Sequence, residues 1–254
     1  MGSIVSRTLS VHKEHELLLK LEAAGLNSDL AQRVIGSKGN DLAAKVVRLI
    51  QNGGFEATTS QKLAREIMGK NCFGVEETTQ HFGVKPTQRQ LSALAEIPFT
   101  EGELRERKDT HILVAVFPLS ILDIRSKVDP NLFYDQSWYN KESFAKKNGE
   151  VGWQLVRKTP VTNSTSKTWD EQQALLAKNE KTPTAQAMIY TIIGHYLATN
   201  ERLFSNIYVR CEDVVSHGFR VRVGNFDANG LNVNNYWDDN RNSNIGVASV
   251  RKFD

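Results

Sequence analysis

Asparagine crowds one short stretch of this chain: Asn225, Asn229, Asn232, Asn234, Asn235, Asn240, Asn242 and Asn244, with Asp227, Tyr236, Asp238, Asp239 and Ser243 among them. Each amide offers both a donor and an acceptor, each hydroxyl one rotatable group, and the tyrosine an amphipathic ring. Binding loops of antibodies draw on much the same residues. These residues also favour ordinary turns, because they tolerate left-handed backbone and local hydrogen bonds. Composition alone leaves both readings open. Leu231 and Val233 alternate with Asn232 and Asn234, so a strand here turns the apolar pair inward and the amides outward. Ile245 and Val247 can form a returning strand with the same period, and a polar loop carrying Tyr236 and Trp237 lies between.

Catalytic arrangements are harder to find. The chain has no GxSxG, HExxH, P-loop or GxGxxG pattern. His12 and His15 stand three apart on a helical stretch, but no third ligand accompanies them, and a solvated charged face is the simpler reading. His195 borders an apolar helix face with Glu201 nearby, and a half-buried, satisfied histidine is expected there. Arg210 adjoins Cys211 and could lower its thiol pKa; a small buried residue is the simpler expectation. Asp238 and Asp239 could ligate calcium, which takes six or more oxygens, and few can be named. No catalytic residue, metal or cofactor is expected.

The run Tyr236-Trp237-Asp238-Asp239-Asn240-Arg241, then Asn244-Ile245-Gly246-Val247-Ala248-Ser249, resembles the end of a C-type-lectin-like domain. More narrowly it is similar to the variable proteins of diversity-generating retroelements, in which an adenine-directed reverse transcriptase rewrites asparagine-rich codons on a fixed fold. The resemblance implies a scaffold of Gly230, Leu231, Val233, Trp237, Arg241, Gly246 and Val247. It implies changeable binding positions at Asn232, Asn234, Asn235, Asn240, Asn242, Ser243 and Asn244, with Tyr236 and Asp238 in the same ligand-binding set. It covers the last thirty residues and reaches back to about Asp109, not into the first hundred. The calcium-dependent lectins' Glu-Pro-Asn motif and paired cysteines are absent from the sequence.

The elements that must position this stretch are mixed. The chain has 254 residues, 40% hydrophobic and 24% charged, with a net charge of +3. That balance gives no bulk electrostatic argument for nucleic acid. Cys72 and Cys211 form no disulfide framework and point to a reducing compartment. No apolar run is long enough to span a membrane, and the start lacks a secretory h-region, so a cytoplasmic location is expected. Met1-Gly2 with Ser6 matches only the loose myristoylation pattern.

Residues 11–105 read as short helices. Leu17, Leu18 and Leu21 precede Gly25; Ser28 can cap the next helix and Asn40 a third through Leu42, Val46, Leu49 and Ile50 to Gly53-Gly54. Residues 58–60 open a fourth, closed by Gly69. Helices this short need to pack on one another. Residues 75–97 can be read as a helix-turn-helix, with Val75–Phe82, a turn at Gly83, a second helix from Thr87 to Ile97, and Lys85, Gln88 and Arg89 able to reach DNA. Thr79 and the short Pro86-Thr87 turn depart from that pattern, and two packed helices joined by a glycine turn are the simpler reading. Thr100 and Glu103 form a capping box, and the charged run after it marks a boundary between domains 1–108 and 109–254.

Beyond it, residues 112–117 read as a buried strand, 119–128 and 137–147 as helices, and 151–156 as a strand. Thr168 and Glu171 make a second capping box. Pro183 suits the first turn of the strongest core helix, with Met188, Ile189, Ile192, Ile193 and Tyr196. Residues 207–210 and 219–223 read as strands. The expected fold is α+β: an N-terminal bundle of short helices, then a C-type-lectin-like domain. The expected function is non-enzymatic binding of a protein or surface-displayed ligand, with a DNA-binding regulator as the alternative.

Overall fold

A computed structural model of the chain describes residues 9–37, 42–43, 46–47, 50 and 58–251. It divides into two compact units, Met1–Ala57 and Thr58–Asp254. The Asn40 cap, Leu49, Gly53-Gly54 and the Met1-Gly2 pattern lie outside the described residues.

In the first unit, α1 spans Val11–Ala23 and α2 spans Ser28–Ile35. Asn27, rather than Ser28, caps α2, its Oδ1 accepting from the Leu30 amide at 2.9 Å. Neither of these two helices contains a fully buried residue.

The second unit begins with β1 (Thr59–Ser60), α3 (Gln61–Met68), β2 (Cys72–Phe73), α4 (Val75–Phe82), α5 (Gln88–Ala93), β3 (Glu96–Ile97) and α6 (Glu101–Arg107). β4 (His111–Val116) is buried at every position, which is why it reads as an unbroken apolar run. β2 pairs in parallel with β4, Cys72 beside Leu113 and Phe73 beside Val114. Residues 59–108 therefore fold together with the C-terminal part of the chain, and the division falls at 57/58 rather than 108/109. The charged run at 103–109 is a surface helix end whose Leu104 is buried. A composition shift marks a change of element; it does not reveal which sheet a two-residue strand joins.

The chain continues through α7 (Ile121–Lys127), α8 (Ser143–Lys146), β5 (Gly152–Arg157), α9 (Trp169–Gln173), β6 (Glu180–Lys181) and α10 (Ala185–Thr199). Then come β7 (Tyr208–Val214), β8 (Arg220–Asp227), β9 (Gly230–Tyr236), β10 (Ile245–Val247) and β11 (Val250–Arg251). Residues 137–147 are not one helix: a 3-10 turn, Trp138–Lys141, is separated from α8 by the extended Glu142. Burial of Tyr139 and Phe144, and a Trp138 Nε1 hydrogen bond to the Val233 carbonyl at 3.1 Å, outweigh helical continuity. Pro183 precedes the cap of α10, which is Thr184.

Two larger sheets result, ordered β2-β4-β5-β11-β6 and β10-β7-β8-β9. α10 packs against strands of both and is buried from Ala185 to His195. Toward the first sheet, the Tyr190 hydroxyl donates to the Ala115 carbonyl at 3.1 Å, and Phe73 fills the space that a Cβ on Gly194 would need. Toward the second, Tyr196 meets Phe226 edge-on at 5.1 Å. The architecture is mixed α and β with several sheets. No described helix is long and apolar enough to cross a membrane.

Candidate functional site

The register of the four-stranded sheet assigns its faces. Val209, Val223 and Val233 stand in line across β7, β8 and β9 and are fully buried. One position along, Arg210, Arg222 and Asn234 stand in line on the opposite face, and Arg220 with Tyr236 and Gly224 with Asn232 share it. Alternation thus sends Leu231 and Val233 into the core and Asn232 and Asn234 outward, as the period of two predicts. Asn235 does not share their face: it pairs with Val221 on the core side, at the end of β9.

β10 does not return beside β9. It pairs in parallel with β7, Ile245 beside Tyr208 and Val247 beside Arg210, at the opposite edge of the sheet. Residues 237–244 therefore cross the outer face over three strand spacings, about 14 Å. Alternation in sequence gives a strand's period, not its partner, so the expected hairpin is replaced by a crossover. Gly246 is required at the far side, where a Cβ would lie 2.6 Å from Pro160 and 2.7 Å from the Ser164 hydroxyl.

Arg210 holds the crossover from beneath. It is fully buried. Nη1 donates to the Lys167 carbonyl at 3.1 Å and Gln172 Oε1 at 3.0 Å; Nη2 donates to the carbonyls of Trp237 at 3.2 Å and Asn240 at 2.8 Å. Two backbone bonds from the neighbouring segment join it: Trp169 N to the Asp238 carbonyl and Ser166 N to the Asn242 carbonyl, both 2.9 Å. Arg220 pairs with Asp238 through two bonds of 3.2 and 2.8 Å while its guanidinium lies 3.9 Å from the Trp169 ring centre. Arg241 pairs with Glu171 at 2.7 and 2.9 Å. Neither Arg210, Arg220 nor Arg222 stands out in sequence, because arginine usually signals surface.

The remaining candidate residues divide by role. Asn234 Oδ1 accepts from the Asn235 amide at 2.8 Å, and Asn242 Oδ1 from the Asn244 amide at 3.1 Å. Ser243 and Asn244 are exposed, and Asn240 and Asn242 half-buried. Asn240 contributes its carbonyl to Arg210 and has a buried Oδ1 without a hydrogen-bond partner. Tyr236 stacks on Trp237 with ring centres 4.5 Å apart. The scaffold role that the resemblance implies for Trp237 would bury it; instead it is 50% exposed, and its carbonyl, not its indole, ties it down. The indole meets the ring of Tyr236 and that of Phe219, 5.9 Å away. Gly230, Leu231, Val233, Gly246 and Val247 are buried; Arg241 is exposed.

Elsewhere, His195 is wholly buried rather than half-buried, and its Nε2, though 3.4 Å from a Glu201 oxygen, is not satisfied by a hydrogen bond of good geometry among the described residues. Burial pushes its pKa down, and hydrogen bonds from Lys158 and Lys70 hold Glu201 down at about 2. Cys211 is buried in apolar surroundings that push its thiol pKa well up, the reverse of an activated thiol. His12 lies 3.9 Å from Glu16 on an exposed helix. Among the described residues no group of three or more His, Cys, Asp or Glu could hold a metal ion. In residues 75–97, the second helix runs only from Gln88 to Ala93. Lys85, Gln88 and Arg89 are exposed, and Thr78, not Thr79, is the buried packing position, its hydroxyl 2.8 Å from that of Tyr190.

Comparison with protein-family models, with curated proteins and with solved structures found no match.

Proposed function

We propose that the protein is a non-enzymatic binding protein whose recognition face is the outer side of β9 and the crossover beyond it. The observation that carries this reading is the way the crossover is anchored. Arg210 and the segment 166–169 grip main-chain carbonyls of Trp237, Asp238, Asn240 and Asn242. Most side chains of the segment are thereby left at or near the surface for recognition. On this reading the ligand is a protein or a surface-displayed molecule, met by amides, hydroxyls and the half-exposed Tyr236–Trp237 pair. The narrower assignment, a C-type-lectin-like variable protein of a diversity-generating retroelement, rests on the resemblance of residues 236–249.

Two measurements test it. The DNA flanking the gene is expected to hold a reverse transcriptase gene and a near-copy of the terminal coding segment differing at adenines; their absence removes the retroelement assignment. A variant with Asn232, Asn234, Asn235, Asn240, Asn242 and Asn244 all changed to Ser is expected to unfold within about 2 kcal/mol of the parent, since surface changes cost little individually. Loss of the fold in that variant makes the amides structural and removes the recognition-face reading.

A further inference from the structure

Arg222 differs from its neighbours on the outer face. Arg210 has four acceptors and Arg220 has Asp238. Arg222 is 9% exposed, and no carboxylate or carbonyl among the described residues pairs with it. Its Nε is closed off from solvent without a hydrogen-bond partner. The guanidinium instead lies between two rings, 4.3 Å from the centre of Tyr208 and 5.0 Å from that of Tyr236. Burial draws its pKa down, and the groups that oppose this are those two phenols. A buried cation without an anion is costly, and ring faces return only part of that cost.

The surroundings select the missing anion. With ring centres 4.3 and 5.0 Å from the guanidinium carbon, a flat carboxylate forked in the guanidinium plane needs the least room beside the rings. A tetrahedral phosphate would direct oxygens toward the rings. Asn234 stands directly across from Arg222, and its Oδ1 is committed to the Asn235 amide, so the group it offers is NH2, a donor. Arg220 is already paired with Asp238, while Arg210, in line with Arg222 across β7 and β8 and bonded to neutral acceptors, adds to the positive field that favours an anion.

We propose that Arg222, framed by Tyr208, Tyr236 and Asn234, is a carboxylate subsite that takes an acidic side chain of a protein ligand. The choice of a protein as its bearer rests on the recognition-face reading; the anion site stands on Arg222 itself.

The test follows the arginine Nε–H signals of the full-length 15N-labelled protein, with Arg222 identified by the signal missing in Arg222→Gln. N-acetyl-glutamate N-methylamide is expected to move the Arg222 signal saturably, and its glutamine counterpart to leave it in place. Inorganic phosphate is expected to move it less at equal concentration, because its tetrahedral oxygens meet the two rings. No movement with the blocked glutamate up to about 0.1 M, a weak but measurable range for one contact, overturns the site. A stronger response to phosphate overturns the carboxylate class, and an equal response to N-acetyl-alanine overturns the side-chain assignment. Where Arg222→Gln does not fold, Arg222→Lys keeps the charge, loses the fork, and is expected to weaken the response about tenfold; an undiminished response overturns the proposal. A silent Arg222 beside a well-folded six-asparagine variant removes this subsite alone. A responsive Arg222 beside an unfolded variant removes the recognition-face reading alone.

Discussion

The asparagines of β9 and those of the crossover look alike in sequence and do different work. Asn232 and Asn234 stand on a strand fixed by what lies on its other side, Leu231 and Val233 in the core. Asn240, Asn242 and Asn244 stand on a segment with no apolar face of its own, held through main-chain carbonyls and by the turn that Asn242 closes on Asn244. The first group is positioned by hydrophobic burial, the second by hydrogen bonding. Tolerance to substitution in such a tract therefore depends on which kind of support lies beneath each residue.

The sharpest way to break this comparison is Arg210→Met. It leaves the carbonyls of Lys167, Trp237 and Asn240 and the Gln172 amide oxygen without their donor. The expected loss is roughly 3–5 kcal/mol, since several buried acceptors are left unsatisfied at about 1–3 kcal/mol each, read by urea denaturation. A loss below about 1 kcal/mol, the size of an exposed contact, would mean the crossover is held by something else. Next comes Leu231→Ala, which removes the support of β9 and is expected to cost about 2–4 kcal/mol. Its effect and that of Arg210→Met should be close to additive if the two supports are independent, and strong coupling in the double variant would merge them.

Smaller effects separate the amides themselves. Asn242→Ala removes the acceptor for the Asn244 amide and is expected to cost about 1 kcal/mol, whereas Asn232→Ala is expected to stay within about 0.5 kcal/mol; equal thermal midpoints would erase the distinction. The smallest effect concerns the outer tie between Arg241 and Glu171. The Thr168 backbone amide, and then Arg241, hold the Glu171 carboxyl below its ordinary value of 4.5. A depressed carboxyl contributes stability above the ordinary value and loses it as pH falls through the folded one. The thermal midpoints of the parent and Arg241→Gln should thus converge as pH drops below about 4.5. A gap that persists in acid would assign Arg241 another role.

Features carried by local pattern were readable in the chain: the apolar run of β4, the capping boxes at Thr100 and Thr168, and the inward turn of Leu231 and Val233. What sequence did not convey is non-local. β2 is two residues long, and the strand it pairs with, β4, lies about forty residues on in the chain. β10 has the period of a strand but takes its partner from β7, across the sheet from β9. Arg210 carries no local sign that it is buried, because its burial is made acceptable by acceptors from two distant stretches, 167–172 and 237–240. Trp237 reads as core by residue type, and the crossover lifts its indole into solvent.

The order in which the strands are made adds a consequence for synthesis. β10 completes one sheet, and β11, only a few residues later, sits inside the other between β5 and β6. A nascent chain that has not yet emerged past Val247 can close neither sheet, and one that has not emerged past Arg251 cannot close the five-stranded one. Until then β5 and β6 lack the strand that stands between them and β7 lacks its outer neighbour, in the condition that makes partly made sheets prone to aggregate. The asparagine-rich residues just before β10 are thus among the last to emerge before folding can finish. Polar side chains at that point keep the late segment hydrated while the two sheets wait for their closing strands.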